Sequence, residues 1–521
     1  MRLGRGAKPL TRRRFLTGTA AAAVAGLAMP SISRAADRPE LSFGLQSGDV
    51  SADTAIVWAR ADRPSRMLIE AATSDSFKDI VASTFVDALP ESDFTGKALL
   101  DDLPPDQDIF YRVRCQNLSS PTIIGPAQVG RFRSAPASRR SVSFAWSGDT
   151  AGQGWGIDEA HGGMRTYATM LKHRPDFFIH SGDCIYADSP IQRELKLPNG
   201  DIWRNVVTED KAEVAQTLAQ FRGNYKYNLL DTNVRAFNAE VPVFAQWDDH
   251  EVANDWWPLR ALDEPGYSER SALALAARAS RAFHEYMPTR QTLAEAGRVY
   301  RRMSYGPLLD VFMLDMRSYR ESNEAAPHDG HAPLLGAKQL AWLKKEIARS
   351  QATWKVIAAD LPIGLVTPDG VAGGNGSPAG REHEIADLLS FMKRAGVHNT
   401  VWLTADMHYT AAHYYDPDKA VFQDFDPFWE FVSGPLHAGT WMPAPLDNTF
   451  GPSVRYQKGC TREQGENLAP CFGLQFFGLV EIDGTTGVMT VNLKDVDDHN
   501  LWSIDIAPQP ASRPASIAQR V

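Results

Sequence analysis

"DFFIHSGDCIYAD", residues 176–188, breaks an apolar, strand-like run with a glycine and then sets Asp183, Tyr186 and Asp188 close together. A turn after a buried strand needs only the glycine and one acid, so a tyrosine three residues past Asp183 calls for a chemical role. The pattern recurs along the chain. "SFAWSGD" ends at Asp149, and "VFAQWDDHE" supplies Asp248, Asp249, His250 and Glu251. "KVIAAD" ends at Asp360, and "VWLTADMH" ends with Asp406 and His408. One Asp after a strand is ordinarily a turn former or a helix N-cap. Five strand ends of the same sign are not explained that way. Residues just past the carboxyl ends of strands in an α/β sheet meet in one crevice. Carboxylates brought together there raise one another's pKa unless a multivalent cation compensates them. Oxygen ligands suit a hard cation, and a tyrosinate with one imidazole suits a ferric ion.

Around these motifs the chain reads as two regions. Residues 41–135 are rich in short aromatic and β-branched runs, such as "TAIVWAR", "RMLIEAA", "IFYRVRC" and "VGRFRSA". They predict a small antiparallel sandwich without a cluster of catalytic residue types, and so a scaffold or lid. From residue 141 strands alternate with amphipathic helices, among them "RSALALAARASRAFHEYM", "GAKQLAWLKKEIARS" and "REHEIADLLSFMKRAG". That alternation predicts a helix-flanked mixed sheet, closed by a hairpin from "FFGLVEIDGTTGVMTVNLKD". The expected division is a leader at 1–35, a β domain at 36–138, a catalytic α/β domain at 139–510 and a frayed tail at 511–521.

The leader carries "TRRRFL" before the apolar "TAAAAVAGLAMP" and the small-residue "SRA". This order matches a cleavable secretory signal of the twin-arginine type, whose cargo folds before export. The apolar stretch is short for a membrane anchor. The full chain has a net charge of −9, and removing the leader, with its seven Lys and Arg and no acid, would take it to −16. Such a chain is a poor general binder of nucleic acid or anionic membrane, so a phosphate-bearing ligand needs a strong local positive charge. Of four cysteines, Cys460 and Cys471 flank a short polar loop, which allows a disulfide in an oxidising compartment.

At these residues the sequence resembles the calcineurin-like metallophosphoesterases. More narrowly it resembles the PhoD-type alkaline phosphatases, with a kinship to purple acid phosphatases, over nearly the whole chain after the leader. "GDCIY" is similar to the Gly-Asp-x-x-Tyr motif, whose Asp bridges two metals and whose Tyr binds ferric iron. "WDDHE" and "ADMH" stand where the superfamily has Gly-Asn-His-Asp/Glu and Gly-His-x-His. The resemblance implies a calcineurin-like sandwich of mixed sheets behind an immunoglobulin- or fibronectin-like β domain. It places Asp149, Tyr186 and His408 on Fe3+, with Asp183 bridging. Asp249, Asp360 and Asp406 fall on a second metal, for which an all-carboxylate shell favours Ca2+. His250 faces the substrate phosphate, and Arg317 in "LDMRSYR", which follows a strand, is a candidate either for a substrate contact or for an ion pair with a nearby acid. PhoD-type enzymes carry a cysteine near the first strand end, where this chain has Asp149.

The activity implied is hydrolysis of small phosphate mono- or diesters by a metal-bound hydroxide, in a periplasmic or secreted enzyme exported by the twin-arginine machinery. Phospholipase D-like hydrolysis of lipid head groups and a non-catalytic, metal-stabilised surface-binding protein are the alternatives.

Overall fold

In the computed structural model, residues 38–292, 295–324 and 330–509 are described. The expected leader and frayed tail lie outside them. Two mixed sheets pack face to face. The first has nine strands, in the order Asn500–Ile506, Met489–Asp495, Phe476–Ile482, Val142–Ser147, Phe177–Ser181, Val243–Gln246, Leu41–Gly48, Ala55–Ala61 and Thr95–Leu100. The second has seven: Arg301–Ser304, Leu309–Met313, Trp354–Ala358, Thr400–Thr404, Phe428–Val432, Thr410–Tyr415 and Pro452–Lys458. Between them lies one apolar layer, in which Trp146, Phe177 and Phe244 of the first sheet meet Val311, Val356 and Leu403 of the second. Phe177 stacks between Phe144 and Phe244, at 4.8 and 4.5 Å. The central strands are buried on both faces, which is why they read as unbroken apolar runs.

Helices cover the outer faces, with their apolar stripes turned inward. Arg165–Lys172, Leu218–Asn228, Thr232–Glu240 and Ala272–Tyr286 bury Tyr167, Phe221, Phe237 and Phe283 in one cluster with Phe178 and Ala245 of the first sheet. Gly336–Arg349 and Glu382–Ala395 cover the second sheet through Leu343, Leu388 and Leu389. Helix starts follow the local chemistry. Thr217 and Gln220 form a reciprocal capping box, and Asp231 and Ser271 accept from N–H groups of the first turns they precede.

The N-terminal region and the cysteines bear on two readings of the sequence. The expected N-terminal sandwich is present, with Val57, Met67, Ile69, Val113 and Phe132 among the residues of its own apolar core. Ile80–Ala88, Ser65–Ala72, Asp108–Asn117 and Gln128–Arg133 form a separate four-stranded sheet. Leu41–Gly48, Ala55–Ala61 and Thr95–Leu100 form the other layer of the sandwich and also continue the large sheet, through the parallel pairing of Gly48 with Val243. A Cβ at Gly48 would lie 2.5 Å from the Val243 carbonyl oxygen, so only glycine allows that approach. The disulfide that the cysteine spacing allows is not formed. Both cysteines are free, and they sit in different apolar clusters, Cys460 with Leu468 and Phe476, Cys471 with Trp155 and Trp203. The expected C-terminal hairpin is present and gains a third strand, Asn500–Ile506.

The seam between the N-terminal strands and the rest is held by buried charge. Arg301 grips Asp49 through two nitrogens at 2.7 and 2.8 Å and donates to the Ala245 carbonyl oxygen at 2.8 Å. Arg290 adds its backbone N–H to Asp49 at 2.7 Å. Asp49 is fully enclosed, so its removal strands Arg301 in a dry seam. Asp49→Ala should lower the free energy of unfolding by about 3–5 kcal/mol, read from denaturant midpoints. A loss below about 1 kcal/mol, the value of an exposed pair, would show that the seam is not held this way.

Candidate metal centre

Parallel pairing puts the carboxyl ends of the key strands on one side. Phe177–Ser181 runs parallel to Val142–Ser147 and Val243–Gln246, and Trp354–Ala358 runs parallel to Thr400–Thr404. Immediately past these ends the backbone turns through the left-handed region. Asp149, Asp183, Asp406 and His408 have φ of 68, 50, 62 and 53°. For residues with a Cβ this conformation costs roughly 1–2 kcal/mol each, and such outliers gather at functional sites. Close approach of the loops is enforced by glycine. A Cβ at Gly182 would lie 2.4 Å from the Asp248 Cβ. The buried Glu251 carboxylate then ties two loops, accepting from the N–H groups of Asp183, Cys184 and Asp248 at 3.2, 2.6 and 2.9 Å.

The first group of converging ligand atoms is Asp149, Asp183 and His408. His408 donates from Nδ1 to the Gly439 carbonyl oxygen, which leaves Nε2 with a free lone pair. Nε2 lies 2.8 Å from the Tyr186 hydroxyl and 3.6 Å from Asp149 Oδ1. Burial pushes the His408 pKa down to about 3, so the ring is neutral and fit to ligate. Tyr186 is completely buried, and burial, then Asp183 and Asp149, hold its phenol well above the usual range. A tyrosinate can exist there only beside a strongly charged cation.

The second group is Asp183, Asp248, Asp249 and Asp406, a third is Asp249, Asp255 and Asp369, and a fourth joins Asp183 and Asp249 to His250. Arg317 lies among them with a fully enclosed side chain. Its Nε is 2.6 Å from Asp248 and 3.5 Å from Asp360, and Nη1 is 2.6 Å from Asp369. The sequence suggested a substrate contact or an ion pair, and the structure turns this guanidinium towards carboxylates. Asp360 lies beside the second group and outside the converging sets.

His250 occupies the open edge, with 14% of its side chain exposed against 18% for Asp406. Asp188 holds its Nδ1 at 2.8 and 2.9 Å, leaving Nε2 3.9 Å from Asp249. The ring stacks on Tyr186 at 4.2 Å between centroids. Burial disfavours its charge, yet Asp188 and Asp249 outweigh that and raise its pKa to about 10.

What makes the cluster a candidate for cations is its unmet hydrogen-bonding capacity. Both oxygens of Asp149 and of Asp360, Oδ2 of Asp183 and Asp248, and Oδ1 of Asp249 are buried and accept no hydrogen bond. Burial first and neighbouring carboxylates second hold Asp149, Asp183, Asp360 and Asp406 well above the usual carboxylate range. Oxygens arranged in this way fit divalent or trivalent ions. The sequence reading missed Asp188, Asp255 and Asp369 as parts of the site. Asp188 was legible, since it ends the stretch that carries Tyr186. Asp369 follows no strand, so nothing local marked it.

Comparisons with known proteins agree with this geometry. Residues 144–493 match the family model of the PhoD-like phosphatases, and residues 26–136 match that of the N-terminal domain of PhoD-like phosphatases. Alkaline phosphatase D of Bacillus subtilis (strain 168) is 28% identical over 444 residues, covering 76% of this chain and 71% of that protein. A solved structure of PhoD superposes with a TM-score of 0.64 at 21% identity, covering 92% of this chain and 94% of the other. A purple acid phosphatase from yellow lupin (Lupinus luteus) seeds superposes with a TM-score of 0.54 at 12% identity, covering 92% and 78%. Both structures share the fold. With the matched model spanning most of its length, the chain belongs to the PhoD-like phosphatase family and is a phosphate-ester hydrolase.

Proposed function

We propose that the chain hydrolyses small phosphate mono- and diesters at a multinuclear Fe3+ and Ca2+ centre, after export by the twin-arginine route. The observation that carries this is the set of buried carboxylate oxygens without hydrogen bonds, arranged beside His250, whose ring Asp188 holds at the open edge of the crevice. Asp149, Tyr186 and His408 with the shared Asp183 would hold iron. Asp183, Asp248, Asp249 and Asp406 would hold calcium, with Asp360 behind them next to Arg317. When bound, the ions supply positive charge for the phosphoryl oxygens and acidify the attacking water.

The chain's own residues do the rest. Asp188 fixes the His250 ring, so that Nε2 faces the substrate side and carries a proton. From there it hydrogen-bonds the phosphoryl group and gives its proton to the departing alkoxide oxygen. Arg317 keeps five carboxylates, those of Asp248, Asp249, Asp360, Asp369 and Asp406, in register by neutralising part of their charge. The acidic surface repels anionic leaving groups, so attraction is local to the centre. Comparing p-nitrophenyl phosphate, bis-p-nitrophenyl phosphate and phosphatidylcholine sorts monoesterase, diesterase and phospholipase activities. No turnover of any of them would favour a binding role.

Three outcomes are expected. Purified wild-type protein should show a broad visible tyrosinate-to-iron band that Tyr186→Phe abolishes while the fold persists; a colourless, iron-free and fully active wild type would remove Tyr186 from the centre. Asp406→Asn should weaken calcium affinity on the order of 10-fold or more, with activity recovering as free calcium is raised, whereas Asp249→Ala should resist such rescue. Activity–calcium curves superimposable on the wild type would demote both residues to turn formers. Finally, Lys at both Arg12 and Arg13 should leave unprocessed precursor in the cytoplasm, and normal export of that double variant would refute the twin-arginine assignment.

A further inference from the structure

We propose that Lys211 is a positioning residue, which fixes Tyr186 and the Asp188–His250 pair from behind the centre. The inference rests on the metal-centre reading above and adds a residue to it. Lys211 ends the short helical turn Glu209–Lys211 and is 2% exposed. Its Nζ donates to the backbone carbonyl oxygen of Tyr186. Among the described residues it forms no ion pair, and Asp188 is the negative group whose field it feels. Burial pushes its pKa down to about 7, a desolvation cost that methionine would avoid if packing were the residue's whole role. Its position explains its presence.

The segment from Tyr186 to Ile191 is clamped from two sides. On the inner side, the Ala187 N–H donates to the His250 carbonyl oxygen at 2.8 Å. On the outer side, the Ile191 N–H donates to the Lys211 carbonyl oxygen at 2.9 Å, and the Ala215 N–H donates to the Ala187 carbonyl oxygen at 2.8 Å. Just upstream, Asn228 donates to the Cys184 carbonyl oxygen at 2.7 Å. Within this frame the Tyr186 carbonyl accepts from Lys211 Nζ and, at 3.3 Å, from the Ser189 N–H of its own turn. The Tyr186 ring is set by the same backbone against His408 at one end and His250 on its face. Without the lysine only the long local bond from Ser189 holds this carbonyl, so the peptide can rotate, carrying the phenol off its position beside His408 and loosening the stack beneath His250.

Lys97 provides the internal control. It too is a lysine donating to a carbonyl, that of His284 at 2.7 Å, but it is half-buried and lies at the seam with the N-terminal strands. Lys211→Met and Lys97→Met should lower the melting temperature similarly. Only Lys211→Met should lower kcat on a chromogenic phosphate ester, on the order of 10²-fold, with KM within about twofold. It should also lose metal on dialysis, measured by elemental analysis, while Lys97→Met keeps it. Lys211→Gln retains an N–H donor and should recover part of both losses. Wild-type kcat and metal content in Lys211→Met, losses equal to those of Lys97→Met, or no recovery in Lys211→Gln would overturn the assignment. A wild type that binds metal but hydrolyses no ester would sink the phosphoesterase reading instead, and the dialysis comparison would still test Lys211.

Discussion

Like charges crowded into a dry crevice are the constraint on which the rest of this structure depends. Ligand oxygens of Asp183, Asp248, Asp249 and Asp406 lie within 4.8 Å of one another. At about 4 Å and an effective dielectric near 20, each ionised pair repels by about 4 kcal/mol. Arg317 answers part of that repulsion and His250 another part, yet both oxygens of Asp149 are left without a hydrogen bond. Protonation would relieve the rest in an empty site; bound cations relieve it while keeping the carboxylates ionised. The same electrostatics that make the cluster unstable alone make it a strong ligand set, and give an acidic protein a local attraction for phosphate.

The fold exists to hold that crowd in place. Parallel strands in both sheets end on one side, and the loops leaving them adopt left-handed turns that only tight backbone bonding sustains. The His437 N–H reaches the Asp149 carbonyl oxygen at 3.0 Å, and the Thr150 N–H reaches that of Asp183 at 2.9 Å. The strand that precedes Asp248, Asp249 and His250 is not at the sheet edge. The N-terminal strand Leu41–Gly48 pairs beside it, and Arg301 joins Asp49 to its Ala245 carbonyl. The N-terminal β region therefore forms part of the catalytic sheet's border, which a detachable lid would not.

Much of this was legible in the sequence because buried parallel strands and their terminal acids leave a local mark. "FFIHSGD" and "VWLTADMH" each show the apolar run, the small residue at the turn and the ligand types. The alternation of strands and amphipathic helices gave the layered α/β architecture. What stayed hidden depends on distant pairing. The N-terminal sandwich was legible from its short aromatic and β-branched runs, but no local pattern says that Gly48 meets Val243, so its junction with the large sheet was not. Cys460 and Cys471 look like partners by spacing, and only packing separates them. Arg317 after a strand end looks the same in sequence whether it faces substrate or a nest of carboxylates. Asp369 and Lys211 come from connecting segments whose destination is set by tertiary contacts alone.

The most direct test of the central claim, that these carboxylates are a multinuclear metal centre, is elemental analysis of the exported protein purified without chelator, paired with its phosphoesterase activity. The account predicts at least two metal ions per chain, iron among them, lost in parallel with activity when Asp183 is changed to Asn. Full activity in a protein that carries no metal would contradict it.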